Sequence, residues 1–106
     1  MTKYPKSGKG RKWTVAELKA LTPAWRGHVL ADGDGLVGEV RVSGKGVVAV
    51  HFRYAFKWRG RRAWHYCGTW PTTKLEEIRD IRDRARAALR AGLNPNAARE
   101  AEKIEA

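Results

Sequence analysis

The stretch Val47-Val48-Ala49-Val50-His51-Phe52-Arg53-Tyr54-Ala55-Phe56-Lys57-Trp58, followed by Arg59-Gly60 and then by Arg61-Arg62-Ala63-Trp64-His65-Tyr66-Cys67-Gly68-Thr69-Trp70, decides the fold. Val48, Val50, Phe52, Tyr54 and Phe56 occupy every second position, while His51, Arg53 and Lys57 fall between them. A period of two marks a strand whose faces meet different surroundings. Arg59-Gly60 reads as a hairpin turn, after which 61–70 returns as a second strand ended by Pro71.

Working upstream, Ser43-Gly44-Lys45-Gly46 is a turn signal, preceded by another alternating run. There Leu36, Gly38, Val40 and Val42 share one face, and Val37, Glu39 and Arg41 the other. Asp32-Gly33-Asp34-Gly35 forms the turn into that run. Three consecutive strands with short connections predict an antiparallel meander. Downstream, Leu75, Ile78, Ile81, Ala85, Ala88 and Leu89 recur at helical spacing, with Thr73 and Glu76 as an expected capping pair. Gly92 and Pro95 close that helix. Near the start, Thr14 and Glu17 have capping-box spacing ahead of Leu18 and Leu21, and Pro23 limits this helix to about two turns. Trp13, just before the cap, suits a hydrophobic staple with Leu18.

The expected architecture is α+β: a three-stranded antiparallel sheet packed on one main C-terminal helix, with a short N-terminal helix. The expected organisation is a flexible basic arm over 1–13, a folded domain over 14–95 and a linker over 96–106. The arm carries Lys3, Lys6, Lys9, Arg11 and Lys12.

Charge is the most informative bulk property. The 106 residues hold 22 Lys and Arg against 11 Asp and Glu, a net charge of +11. Such an excess on a short chain implies a polyanionic partner. Its distribution is sharper than its sum. From Val40 to Leu75 there is no acidic residue, while Arg41, Lys45, Arg53, Lys57, Arg59, Arg61, Arg62 and Lys74 all fall there. The helix instead mixes Glu76, Glu77, Asp80 and Asp83 with Arg79, Arg82, Arg84, Arg86 and Arg90. The helix is therefore expected to be the scaffold, and the uncovered sheet face the binding surface. A small sheet or ribbon fits the major groove of DNA, where Arg bonds guanine bidentately.

Trp64 and Tyr66 share one face of the last strand, His65 and Cys67 the other. Hydrophobicity alone places Trp64 and Tyr66 in the core; facing outward, they would contact sugars or thymine methyls. Readings as an enzyme are weak. His28, His51, His65 and Cys67 lack the spacing of a zinc site. Asp32 and Asp34 lack the rest of a calcium loop, and Gly33-Asp34-Gly35 does not match a phosphate-binding loop. A Cys67 nucleophile paired with a histidine is less economical than a small buried thiol. The single cysteine excludes an internal disulfide and suits a reducing compartment. No apolar run approaches the ~20 residues that span a bilayer, so a cytoplasmic location is expected. No metal or cofactor is expected.

Five segments in order resemble the N-terminal domain of tyrosine recombinases, the integrases of phages and genomic islands. They are Leu30-Ala31-Asp32-Gly33-Asp34-Gly35-Leu36, Phe52-Arg53-Tyr54, Cys67-Gly68-Thr69-Trp70-Pro71, Leu75-Glu76-Glu77-Ile78-Arg79 and Ala91-Gly92-Leu93-Asn94-Pro95. Together they cover roughly residues 14 to 96. The resemblance implies a three-stranded sheet backed by a helix and lying in the major groove of arm-type sites, with Arg53 as the outward arginine of the second strand. It also implies that Trp64 and Tyr66 face outward, against the hydrophobicity argument.

Three departures stand out. Lys74 occupies the place of the usual helix-capping Ser. The hairpin Phe56-Lys57-Trp58-Arg59-Gly60-Arg61 is longer than usual. Gly38 replaces an apolar residue and is expected to leave a gap in the core. In that family the catalytic tyrosine belongs to a later domain, and Tyr4, Tyr54 and Tyr66 have no matching context, so no recombinase activity is expected here.

The reading is thus a non-catalytic domain that binds double-stranded DNA and positions an integrase on arm-type sites. The expected contacts are Arg41, Lys45, His51, Arg53, Lys57, Arg59, Arg61, Arg62, Trp64 and Tyr66. The domain is expected to be monomeric, with other integrase protomers contacted through domains outside this chain. A double-stranded RNA module, or a protein-interaction module using the aromatic face, are the alternatives.

Overall fold

A computed structural model describes residues 13–97 and 99; the basic arm Met1–Lys12 lies outside them. In chain order come α1 (Val15–Lys19), a 3-10 turn (Pro23–Trp25), β1 (Val29–Gly33), β2 (Leu36–Val42), β3 (Val48–Trp58), β4 (Arg61–Trp70) and α2 (Leu75–Arg90). The strands form one antiparallel sheet in the order β1-β2-β3-β4.

The sheet therefore has four strands rather than three. β1 escapes the alternation argument because only Leu30 marks its inward face as apolar; the next inward residue is Asp32, fully buried. A carboxylate is tolerated there because it is fully partnered. Asp32 accepts from Arg79 Nε at 2.8 Å and Nη2 at 2.9 Å, and from the Trp13 backbone N–H at 2.7 Å. Arg79 Nη2 also donates to the Trp13 carbonyl. One buried ion pair thus joins the sheet edge, α2 and the entry to α1. Further along α2, Arg82 is itself buried, donating from Nη1 to the Gly33 carbonyl at 3.1 Å and from Nε to Asp83 at 2.6 Å. Arg86 approaches Asp34 at 3.9 Å. Arg79 and Arg86 thus reach across to the β1–β2 turn instead of pairing along the helix.

The core lies between the sheet and α2. Phe52, Val50, Val40, Leu36 and Cys67 meet Leu75, Ile78 and Ala85, and Trp13, Leu18, Leu21 and Trp25 close one end. Gly38 leaves no gap: a Cβ there would sit 2.7 Å from both Phe52 and Val50 side chains, which already fill the space. The expected α1 capping box forms, with Glu17 N–H donating to Thr14 Oγ1 and Thr14 N–H to Glu17. The expected Thr73 cap of α2 does not. The N-cap is Lys74, without a side-chain cap. Thr73 instead donates its N–H to the Thr69 carbonyl at 2.7 Å and packs over Gly68. α2 ends with Gly92 at φ 82°, its N–H bonded to the Leu89 carbonyl and that of Leu93 to the Ala88 carbonyl, a Schellman arrangement.

Candidate nucleic-acid interface

The hairpin register sets the orientation of Trp64 and Tyr66: Phe56 faces Ala63 and Tyr54 faces His65 on the inward side, which leaves Trp64 and Tyr66 outward. In the β3–β4 ladder Arg53 faces Tyr66 and Phe52 faces Gly68, so Cys67 is a bulge. A bulge reverses the parity of a strand. Before it, His65 and Cys67 point inward and Trp64 and Tyr66 outward; after it, Trp70 points inward and Thr69 outward. Strict alternation over 61–70 groups Trp64 and Tyr66 with the buried Trp70, which is why hydrophobicity placed them in the core.

The open face is ordered in rows across the strands. Val37, Arg53 and Tyr66 form one row, Glu39, His51 and Thr69 the next, and Lys57 faces Arg62. At the centre, the Arg53 guanidinium lies 4.3 Å from the Trp64 ring centroid, and that of Arg62 lies 5.7 Å from the same ring. The His51 and Tyr66 rings are 4.6 Å apart, and Thr69 Oγ1 is 2.6 Å from Tyr66 Oη and 3.3 Å from His51 Nδ1. The His51 pKa is lowered by partial burial and by the cations Arg41 and Arg53, with Glu39 opposing. His51 is thus mostly neutral at pH 7 and senses the positive field of the face.

Beyond Tyr54 and His65 the sheet narrows. β2 begins at Leu36, opposite Tyr54; Ala55 still donates its N–H to the Gly35 carbonyl at 2.9 Å, and beyond it β3 and β4 pair only with each other. This two-stranded ribbon carries Lys57, Arg61, Arg62 and Trp64, with Arg59 in its turn. The turn is tight, with Arg59 at φ 52° and Gly60 at φ 83°, a left-handed pair that suits the twist of a hairpin. Phe56, Trp58 and Ala63 pack the ribbon's inner side onto the core, and the Arg59 guanidinium lies 5.7 Å from the Trp58 ring. Trp58 is thus chiefly a packing residue.

Among the described residues, Arg53, Lys57, Arg59, Arg61 and Arg62 have no carboxylate partner. Arg41 differs: it lies at the other end of the sheet and pairs with Glu39 at 3.3 Å. Lys45 sits still further along, exposed in the β2–β3 turn. The structure thus gathers His51, Arg53, Arg62, Trp64 and Tyr66 into one cluster, continues it into Lys57 and the turn residue Arg59, sets Arg61 at the tip on the inner side opposite Trp58, and leaves Arg41 and Lys45 apart. Thr69 and Val37 join the face unforeseen; the bulge hid the first, and only the alternation of β2 signalled the second.

The opposite face carries no comparable chemistry. Cys67 is buried, and burial pushes its pKa up to about 11, so it is a thiol and not a nucleophile at neutral pH. His65 Nδ1 lies 2.7 Å from Asn96 Oδ1, while Arg99 meets its Nε2. A guanidinium only donates, so Nε2 accepts and Nδ1 carries the proton. Asn96 in turn donates to the Trp64 carbonyl at 2.9 Å. Burial lowers the His65 pKa, the Asn96 bond opposes this, and Arg99 lowers it further. Among the described residues no three His, Cys, Asp or Glu side chains converge on a metal position, and no helix is long and apolar enough to cross a membrane.

A sheet covered on one side by a helix, and carrying unneutralised arginines on the other, defines a small α+β module for a polyanion. The model of the arm DNA-binding domain family, found in phage integrases, matches residues 13–102, and the chain belongs to that family. It is a family of non-catalytic DNA-binding domains, and DNA is the partner. A search of curated proteins finds no match.

Proposed function

We propose that this domain binds double-stranded DNA by laying the β3–β4 ribbon in the major groove at arm-type sites, and so positions a phage-type integrase in the cytoplasm for site-specific integration. The observation that carries the reading is the two-stranded, carboxylate-free basic ribbon. The major groove is about 12 Å wide and admits a two-stranded ribbon, whereas four strands at about 4.8 Å spacing would not enter it flat. In this reading Arg53, His51, Trp64 and Tyr66 face the groove floor. Lys57, Arg59, Arg61 and Arg62 meet phosphates on its walls, and Arg41 and Lys45 meet the backbone further along. The domain acts as a monomer, and other protomers are contacted through domains outside this chain.

The alternatives fit less well. The major groove of A-form RNA is too deep and narrow for such a ribbon. An aromatic protein interface fits less well because the exposed Trp64 ring is flanked by the Arg53 and Arg62 guanidiniums and Tyr66 lies against His51, a cationic and not an apolar surround. Titration of a DNA duplex in rising salt tests the reading. With about six phosphate contacts the slope of log K against log salt is about −5, so a fourfold rise in salt costs roughly a thousandfold in affinity. Absence of binding at low salt, or equal affinity for an RNA duplex of the same sequence, would sink it.

A further inference from the structure

Resting on that reading, we infer that Trp64 is a positioning residue that holds Arg53 to read a guanine in the major groove, rather than a ring that itself contacts bases. Arg53 lies on β3, between β2 and β4, and its outward neighbours across the ladder are Val37 and Tyr66. It is the arginine nearest the middle of the open face, so with the ribbon in the groove it meets base edges and not the phosphate walls. Among the described residues its side chain makes no hydrogen bond or ion pair; the Trp64 ring centroid lies 4.3 Å from the guanidinium carbon, and the charge also acts on neighbouring His51.

That contact has a particular consequence. Stacking uses the flat face of the guanidinium and leaves the N–H groups around its edge free. A guanidinium clamped by its face and open at its edge is prepared for the two acceptors, O6 and N7, that guanine presents side by side. An unclamped arginine would lose side-chain entropy on forming that pair. The site opposite Trp64 on β3 is Ala55, small enough to leave the indole surface free for Arg53 diagonally across the ladder. Arg62 approaches the same ring at 5.7 Å from the edge strand. Two guanidiniums share one indole with no carboxylate between them, a like-charge arrangement that favours an electron-rich acceptor beside it. Arg62, nearer the tip, takes the phosphate flanking that guanine.

The test uses the 106-residue chain and two duplexes: one selected by the wild-type protein from a randomised pool, and one of mixed sequence. The expected result is that the selected duplex contains a guanine whose replacement by 7-deazaguanine, which lacks N7, weakens wild-type binding about tenfold. Trp64→Leu loses a similar factor on the selected duplex and less than about twofold on the mixed one, with an unchanged salt slope. Trp64→Phe, a weaker cation–π partner, retains part of the preference. Arg53→Lys, which keeps the charge and loses the fork, abolishes both the preference and the sensitivity to 7-deazaguanine. If Trp64→Leu fails to fold, Trp64→Phe and Arg53→Lys decide. Equal losses on both duplexes, or a selected site insensitive to 7-deazaguanine, would overturn the inference while leaving the DNA-binding reading intact. A wild-type protein that binds neither duplex would overturn both.

Discussion

Three arginines of α2, Arg79, Arg82 and Arg86, and those of the β3–β4 ribbon are chemically identical and live in opposite circumstances. Arg79 is held by Asp32 and the Trp13 carbonyl, Arg82 by Asp83 and the Gly33 carbonyl, and Arg86 lies within reach of Asp34. Arg53, Arg59 and Arg62 rest on indole rings, and none of them has a carboxylate partner among the described residues. The first group has spent its donors on the fold; the second keeps them for a ligand. Net charge counts the two alike, so +11 overstates the charge available for binding. What matters is which guanidiniums are already neutralised: Asp32 of β1, Asp34 of the following turn and Asp83 of the helix itself account for Arg79, Arg86 and Arg82.

The sharpest way to break this comparison is to remove the carboxylate. Asp32→Ala leaves Arg79, three-quarters buried, without its carboxylate and removes the oxygen that accepts from the Trp13 N–H at 2.7 Å. Removing one member of a buried pair costs about 3–5 kcal/mol, a large part of a small domain's stability. Chemical denaturation should show that loss, while affinity for a duplex, corrected to the folded fraction, stays unchanged. A mutant of normal stability would mean that the ion pair does not hold β1 and α1 to the helix.

Within the charged residues a smaller contrast is expected. Arg61 opens β4 at the ribbon tip, and Arg84 sits exposed on α2 beside the cleft next to His65 and Arg99. Neither has a carboxylate partner among the described residues. If position at the ribbon tip decides, Arg61→Ala should weaken duplex binding about fivefold and reduce the salt slope by about one contact, and Arg84→Ala should change affinity less than about twofold. Fluorescence anisotropy on the two variants separates these outcomes. Equal losses would mean that bulk charge, not the ribbon, governs binding.

Much of this architecture is legible in the sequence, for reasons that individual residues make plain. β3 shows itself because five apolar residues from Val48 to Phe56 alternate without a break, and α2 because Leu75, Ile78 and Ala85 keep helical spacing. The acid-free stretch already delimits the open face. The features that stayed hidden are those in which polar chemistry sits at a core position or geometry breaks periodicity. β1 was missed because Asp32 occupies an inward position, and nothing local announces that Arg79, 47 residues away, satisfies it. Trp64 was ambiguous because the Cys67 bulge reverses the strand, and a bulge is a property of pairing rather than of composition. Gly38 looked like a hole because the sequence does not say that Phe52 and Val50 lean into it. Family resemblance resolved the second case and none of the others.

The smallest expected effect probes the same contrast through two histidines. Both His51 and His65 have lowered pKa values, each led by burial, but their charged neighbours differ. His51 stands on the open face and is lowered also by Arg41 and Arg53; His65 stands under the sheet beside Arg99. In the free protein both favour the neutral form, so their contribution to stability is whole above the unfolded value of about 6.5 and declines as pH falls below it, because the unfolded chain takes up the protons first. DNA should separate them. The negative field of the groove offsets that of the arginines and favours protonated His51, so its pKa rises on binding, whereas His65, shielded by the sheet, keeps its own. Binding then takes up a proton in the window between the free and bound His51 values, and affinity increases as pH falls through that window. The measurement is an NMR titration of both imidazoles with and without duplex, alongside affinity against pH for the wild type and His51→Gln. A rise confined to His51, and a pH slope abolished by His51→Gln, would place the duplex over the sheet. Equal movement of both histidines, or a slope that survives the substitution, would place the ligand elsewhere and collapse the distinction between the arginines of the ribbon and those of the helix.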